Sequence, residues 1–106
     1  MKALILEDDP ISRFEMTRAI KQMGYSVTED ESPEKHLQKI QNGSYDLIVT
    51  DQKLPRMSGK DVIKISKNSG KVSTRHILVT ALTTCVKEDA DEIIFKNLDL
   101  DTFIQD

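Results

Sequence analysis

The sequence is short of the residues that staple, interrupt or span. In 106 residues it has one cysteine (Cys85), no tryptophan, four glycines and three prolines. One cysteine excludes an internal disulfide and fits a reducing compartment, so a cytoplasmic setting is expected. No stretch approaches the roughly 18 apolar residues that cross a bilayer. The start, MKALILEDD, offers only four apolar residues before three acids, which reads as a strand and not a signal peptide. No Lys/Arg block exceeds two residues and the net charge is −3, which argues against nucleic acid as a partner. No G-x-x-x-x-G-K-[ST] occurs, so a nucleotide triphosphate site is not expected. No internal repeat, low-complexity tract or linker is visible.

What remains is ordinary for a globular chain: 38% hydrophobic and 31% charged residues. The length suits one small domain with one core. A single domain over residues 1–106 with no output domain is the expectation.

Apolar runs alternate with helical patterns. Ala3-Leu4-Ile5-Leu6 reads as a first buried strand. Asp9-Pro10 is a helix start, Asp as cap and Pro at the first helical position. Met16, Ala19, Ile20 and Met23 recur on one helical face, and Gly24 follows where a C-terminal cap belongs. Tyr25 to Thr28 predicts a second strand. Ser32-Pro33 repeats the cap-plus-proline signal for a second helix carrying Leu37 and Ile40, ending at Asn42-Gly43. Asp46 to Thr50 predicts a third strand, followed by Asp51. A third helix is predicted from about Ser58 to Asn68, with Val62, Ile63 and Ile65. His76 to Val79 predicts a fourth strand ending at Thr80-Ala81. Glu92 to Phe95 predicts a fifth, ending at Lys96, and Asp99 caps a short last helix.

Strands alternating with helices imply a parallel sheet covered on both faces. Right-handed crossovers put every strand C-terminus on one edge, where open α/β sheets bind ligands. That edge collects Glu7, Asp8, Asp51, Thr80 and Lys96. The triplet Glu7-Asp8-Asp9 alone serves equally well as helix-cap acids favoured by the helix dipole. If strands one and three are neighbours, Glu7, Asp8 and Asp51 meet, and like charges at that range repel unless a cation joins them. Hard oxygen ligands with room for water suit Mg²⁺. A carboxylate can attack phosphorus to give an acyl phosphate, while a lysine and a hydroxyl hold the remaining oxygens. The pattern therefore points to a metal and phosphoryl site.

The pieces LILEDDP, YDLIVTDQKLPRMSG, ILVTA and DEIIFK, in this order, resemble the receiver domains of two-component response regulators, chemotaxis regulators among them. The resemblance covers essentially the whole chain. It implies a flavodoxin-like fold: a three-layer, doubly wound parallel sheet of five strands in the order 2-1-3-4-5. It implies that Asp51 accepts a phosphoryl group from a phosphohistidine on a histidine kinase or histidine phosphotransfer protein. Glu7 and Asp8 would hold Mg²⁺ with Asp51 and the backbone carbonyl of Lys53. Thr80 and Lys96 would bind the phosphoryl oxygens. Asp9 matches no ligand in the family pattern and reads as the helix cap.

Several positions depart from that family. Asn97 follows the lysine where a proline, typically in a cis bond, is usual. A cis bond before a non-proline costs roughly 3 kcal/mol, so the expectation is a trans 96–97 bond with Lys96 displaced, or a rare strained bond. Ile93 stands where an aromatic ring often reports the switch. Thr80 and Lys96 lie only 16 residues apart, and helices average about 11 residues before loops are counted. The fourth helix is thus expected to be absent or about one turn, and the fifth short. Ile77, Val79 and Ile94 are then expected to be less covered than usual, a patch open to a partner. His36 and His76 lack ligand spacing and read as structural. Cys85 reads as inert, and Met16 and Met57 as packing residues. Lys53 and Leu82 sit at rim positions.

Three functions follow from different classes. The first is a stand-alone receiver that signals to a downstream protein by changing partner affinity. The second is a pseudo-receiver, a docking module indifferent to phosphorylation. The third is a metal-dependent phosphohydrolase, which lacks a spare His as general acid or base at the sheet edge. The receiver is the preferred reading, as a protein that catalyses only its own phosphorylation and dephosphorylation.

Overall fold

The computed structural model describes residues 1–71, 73–80 and 92–95. Five strands form one parallel sheet: β1 (Lys2–Leu6), β2 (Ser26–Asp30), β3 (Leu47–Asp51), β4 (Arg75–Thr80) and β5 (Glu92–Phe95). Their order is β2-β1-β3-β4-β5, as the resemblance implies. Three helices lie among the described residues: α1 (Pro10–Gln22), α2 (Leu37–Gln41) and α3 (Gly59–Lys67). None is long and apolar enough to cross a membrane. The expected fourth and fifth helices, Cys85, Lys96 and the 96–97 bond lie outside the described residues.

Strand alternation divides the core into two layers. Ala3 and Ile5, Leu47 and Val49, Ile77 and Val79 pack on one face with Met16 and Ile20 of α1. Leu4, Leu6 and Ile48 pack on the other with Ile40, Leu54 and Val62. The register keeps each layer flush, with Ile5 beside Val49 and Val49 beside Ile77. All five residues of β3 are buried, which explains its unbroken apolar run.

Local chemistry sets the ends. Asp9 caps α1 by accepting from the Ser12 N–H (3.0 Å) and Ser12 Oγ (2.7 Å). Gly24, at φ 97°, closes α1 with its N–H on the Lys21 carbonyl, a conformation side chains disfavour. Ser58 and Asp61 bond reciprocally at the start of α3.

Four expectations need correction. β2 runs over Ser26–Asp30 rather than 25–28, because it is an edge strand and its pairing with β1 continues through Glu29 and Asp30, past the apolar signal. The second helix is a 3-10 turn, Glu34–His36, followed by the short α2, and its start has no side-chain cap. β3 runs over Leu47–Asp51 rather than 46–50, so it starts one residue later and ends on Asp51 itself. Ile77 and Val79 are only 6% and 0% exposed, because both belong to the apolar layer packed with Met16 and Ile20 of α1. The histidines do have side-chain partners: His36 with Asp30 (2.8 Å) and the buried His76 with Ser66 (2.8 Å).

The N-terminal edge of the sheet is pinned by Asp46. Its carboxylate accepts from the Lys2 N–H (2.8 Å) and Lys71 Nζ (2.9 Å), which together hold it below the usual carboxylate range. A depressed folded-state pKa contributes stability that is present above the unfolded value, about 3.9, and lost as pH falls through the folded value. Asp46→Asn is therefore expected to be less stable than the native chain at pH 7, with the gap closing below about pH 4. Urea unfolding across that range measures it.

Candidate functional site

The site grows out of two neighbouring strand ends. Glu7 follows β1 and is fully buried, Asp8 beside it is exposed, and Asp51 ends β3 at 5% exposure. Each offers one carboxylate oxygen, and these oxygens all lie within 4.8 Å of one another. The β1–β3 pairing, which runs to Leu6 beside Thr50, brings them together.

The loop after Asp51 is tied down at its start and its end. The Gln52 N–H donates to the Val79 carbonyl of β4 (3.1 Å), and the Gln52 carbonyl accepts from the Gly59 N–H (2.9 Å). Its side-chain oxygen accepts from the Lys60 N–H (3.1 Å), so Gln52 serves the first turn of α3. Lys53 bridges to Ser58 across the loop, and its N–H donates to Asp51 Oδ1 at 3.5 Å. Leu54 anchors the loop in the core. On the other side the Glu7 N–H donates to the Asp30 carbonyl (3.0 Å) and Arg13 Nη1 to the Glu7 carbonyl (2.9 Å). Burial works against the ionised form of Asp30. The bond from His36 and those from the Glu31 and Ser32 N–H groups outweigh it and hold the carboxyl below its usual range.

Thr80 is the last residue of β4, one beyond the Asp51–Val79 pair. Lys96 and Leu82 lie outside the described residues. Gln52 and Arg13 were not singled out from sequence. Their roles are bonds to backbone groups of other segments, which leave no periodic trace. The nearest signal is position: one stands directly after Asp51, the other one turn into the helix that follows the acids.

The donor set fits a hard divalent cation. Ligands at ~2.1 Å from Mg²⁺ stand roughly 3–4 Å apart, so small side-chain rotations would close these oxygens on one ion. Exposed Asp8 leaves one flank open to water or a ligand.

Comparison with known proteins decides the family. Residues 3–106 match the response regulator receiver domain. The chain belongs to that family. This receiver domain is 33% identical, over 95% of its length, to a cyclic di-GMP phosphodiesterase of Thermotoga maritima. It is 30% identical, over 74% of its length, to a gliding motility regulatory protein of Myxococcus xanthus. It spans only 28% and 10% of those two proteins. Among solved structures it is similar to the T. maritima response regulator TrrA in complex with Mg²⁺-BeF. The TM-score there is 0.77 at 30% identity, covering 99% of this chain and 95% of that one. A CheY-like receiver of Methanospirillum hungatei gives 0.76 at 25% identity, covering 98% and 87%.

Packing at the receiver's Gly59 sets the distance between α3 and the acid. A Cβ there would lie 2.5 Å from the Asp51 carbonyl oxygen and 2.6 Å from Leu78 Cδ1. Gly59→Ala is expected to lose about 1–3 kcal/mol, since neither backbone nor core can give way freely. Chemical denaturation measures the loss, and NMR shifts of the Asp51 and Gln52 amides should report its location.

Proposed function

We propose that this receiver accepts a phosphoryl group on Asp51 from a phosphohistidine of a histidine kinase or phosphotransfer protein, in the cytoplasm, and passes the signal on by altered affinity for a downstream protein. The observation that carries the reading is the meeting of Glu7, Asp8 and Asp51 oxygens within 4.8 Å at the ligand-binding edge of the sheet. The Mg²⁺-BeF complex of the similar TrrA supports it.

The residues divide the work. An Asp51 carboxylate oxygen attacks phosphorus, forming the P–O bond of an acyl phosphate. The P–N bond of the donor breaks and its electron pair returns to the imidazole nitrogen. Glu7, Asp8, Asp51 and the backbone carbonyl of Lys53 would hold Mg²⁺. Bound there, the ion neutralises charge on the carboxylates and the transferring phosphoryl oxygens. Thr80 supplies a hydrogen bond and Lys96 a positive charge to those oxygens. The reactions it catalyses in this reading are its own phosphorylation and dephosphorylation.

Intact-mass measurement with a small acyl-phosphate donor and Mg²⁺ tests the reading. One added phosphoryl group is expected, and it should vanish both in Asp51→Asn and with chelator. A folded protein that takes up no group under any donor condition would instead be a phosphorylation-independent docking module. Asn97 and Ile93 would then be the first suspects.

A further inference from the structure

We propose that Arg13 is a positioning residue for the cation site, holding the peptide that joins Glu7 to Asp8. The inference rests on the reading of Glu7, Asp8 and Asp51 as metal ligands. The carbonyl of Glu7 belongs to the one peptide plane shared by two of those three carboxylates. It lies beyond the last β1–β3 ladder pair, Leu6 beside Thr50. Arg13 Nη1 donates to it at 2.9 Å from the second turn of α1. That plane sets the directions in which both side chains leave the backbone.

The guanidinium is itself oriented. Its Nε stands 3.4 Å from Glu29 Oε1 on β2, and the arginine side chain is only 22% exposed. The Glu29 backbone is fixed by its register beside Ile5 of β1, and its side chain is 42% exposed. Arg13 is thus braced from the edge strand on one side and grips the ligand-bearing turn on the other. Its own N–H meets the Asp9 carbonyl (2.9 Å), so the same residue also starts the α1 ladder from the end of that turn. The planar fork of an arginine serves two directions at once, which a lysine ammonium does not do with fixed geometry. Groups that orient metal ligands from behind change affinity on the order of 10–100-fold when removed.

The test is Mg²⁺ affinity, read by NMR titration of the Asp8 and Lys53 amides, beside thermal unfolding with and without Mg²⁺. Arg13→Ala is expected to bind Mg²⁺ about tenfold more weakly, and Arg13→Lys to fall between it and the native chain. The Mg²⁺-dependent rise in Tm should shrink in the same order, a change that a purely structural role in the metal-free fold would leave alone. Glu29→Gln, which keeps the shape but loosens the brace, is expected to weaken binding about two- to threefold. Affinity of Arg13→Ala within twofold of native would overturn the proposal. If that variant does not fold, native-like affinity in both Arg13→Lys and Glu29→Gln would overturn it instead. A native chain that binds no Mg²⁺ would overturn the metal-site reading itself, an outcome distinguishable from the first because it appears before any substitution.

Discussion

Three carboxylates held within 4.8 Å of one another are the constraint that organises this molecule. The backbone beneath two of them is bonded to neighbouring segments: Glu7 to Asp30 and Arg13, and Gln52, next to Asp51, to β4 and α3. Those bonds hold because the strands below are locked by two apolar layers in flush register. Burying a residue such as Ile20 or Ile48 stabilises by about 1.5–3 kcal/mol each, and the sum of such terms keeps the charged edge from relaxing.

Burial is graded across the cluster, and under the proposed reading the gradient has a chemical use. Glu7 is fully enclosed, Asp51 almost so, and Asp8 stands in solvent. Enclosure restricts the first two to few rotamers and fixes where their oxygens point. Exposure of the third leaves the approach side open. A site closed on all flanks could hold a cation but admit no phosphorylated partner.

The elements built on local signals were legible in the sequence. Asp9 capping α1, Gly24 ending it and the buried runs of β3 and β4 each follow from a short stretch of chain. The three acids were legible because strand order turns sequence position into spatial position. What escaped depends on partners far along the chain. β2 extends through Glu29 and Asp30 because β1 supplies its ladder, although neither residue is a strand former. Ile77 and Val79 are covered because strand parity aims them at α1, which their composition alone does not reveal. Gln52 and Arg13 matter through single hydrogen bonds to distant backbone, and no periodicity records these.

The same bonds decide how a change at Asp51 travels. The Gln52 N–H is fastened to the Val79 carbonyl, and Val79 pairs with Asp51 itself and precedes Thr80. On the opposite flank Gly59 presses its backbone against the Asp51 carbonyl with no room for a Cβ. In the proposed reading, a charge added at Asp51 would meet a frame with little room for local drift. Close-packed interiors do not deform continuously. They shift between discrete arrangements, so small displacements at such a site pass into neighbouring elements instead of dying out. Among the described residues, the end of β4 and the start of α3 both bond to Gln52, next to the acid. If Asp51 takes a phosphoryl group as proposed, these are neighbours it would reach through those bonds.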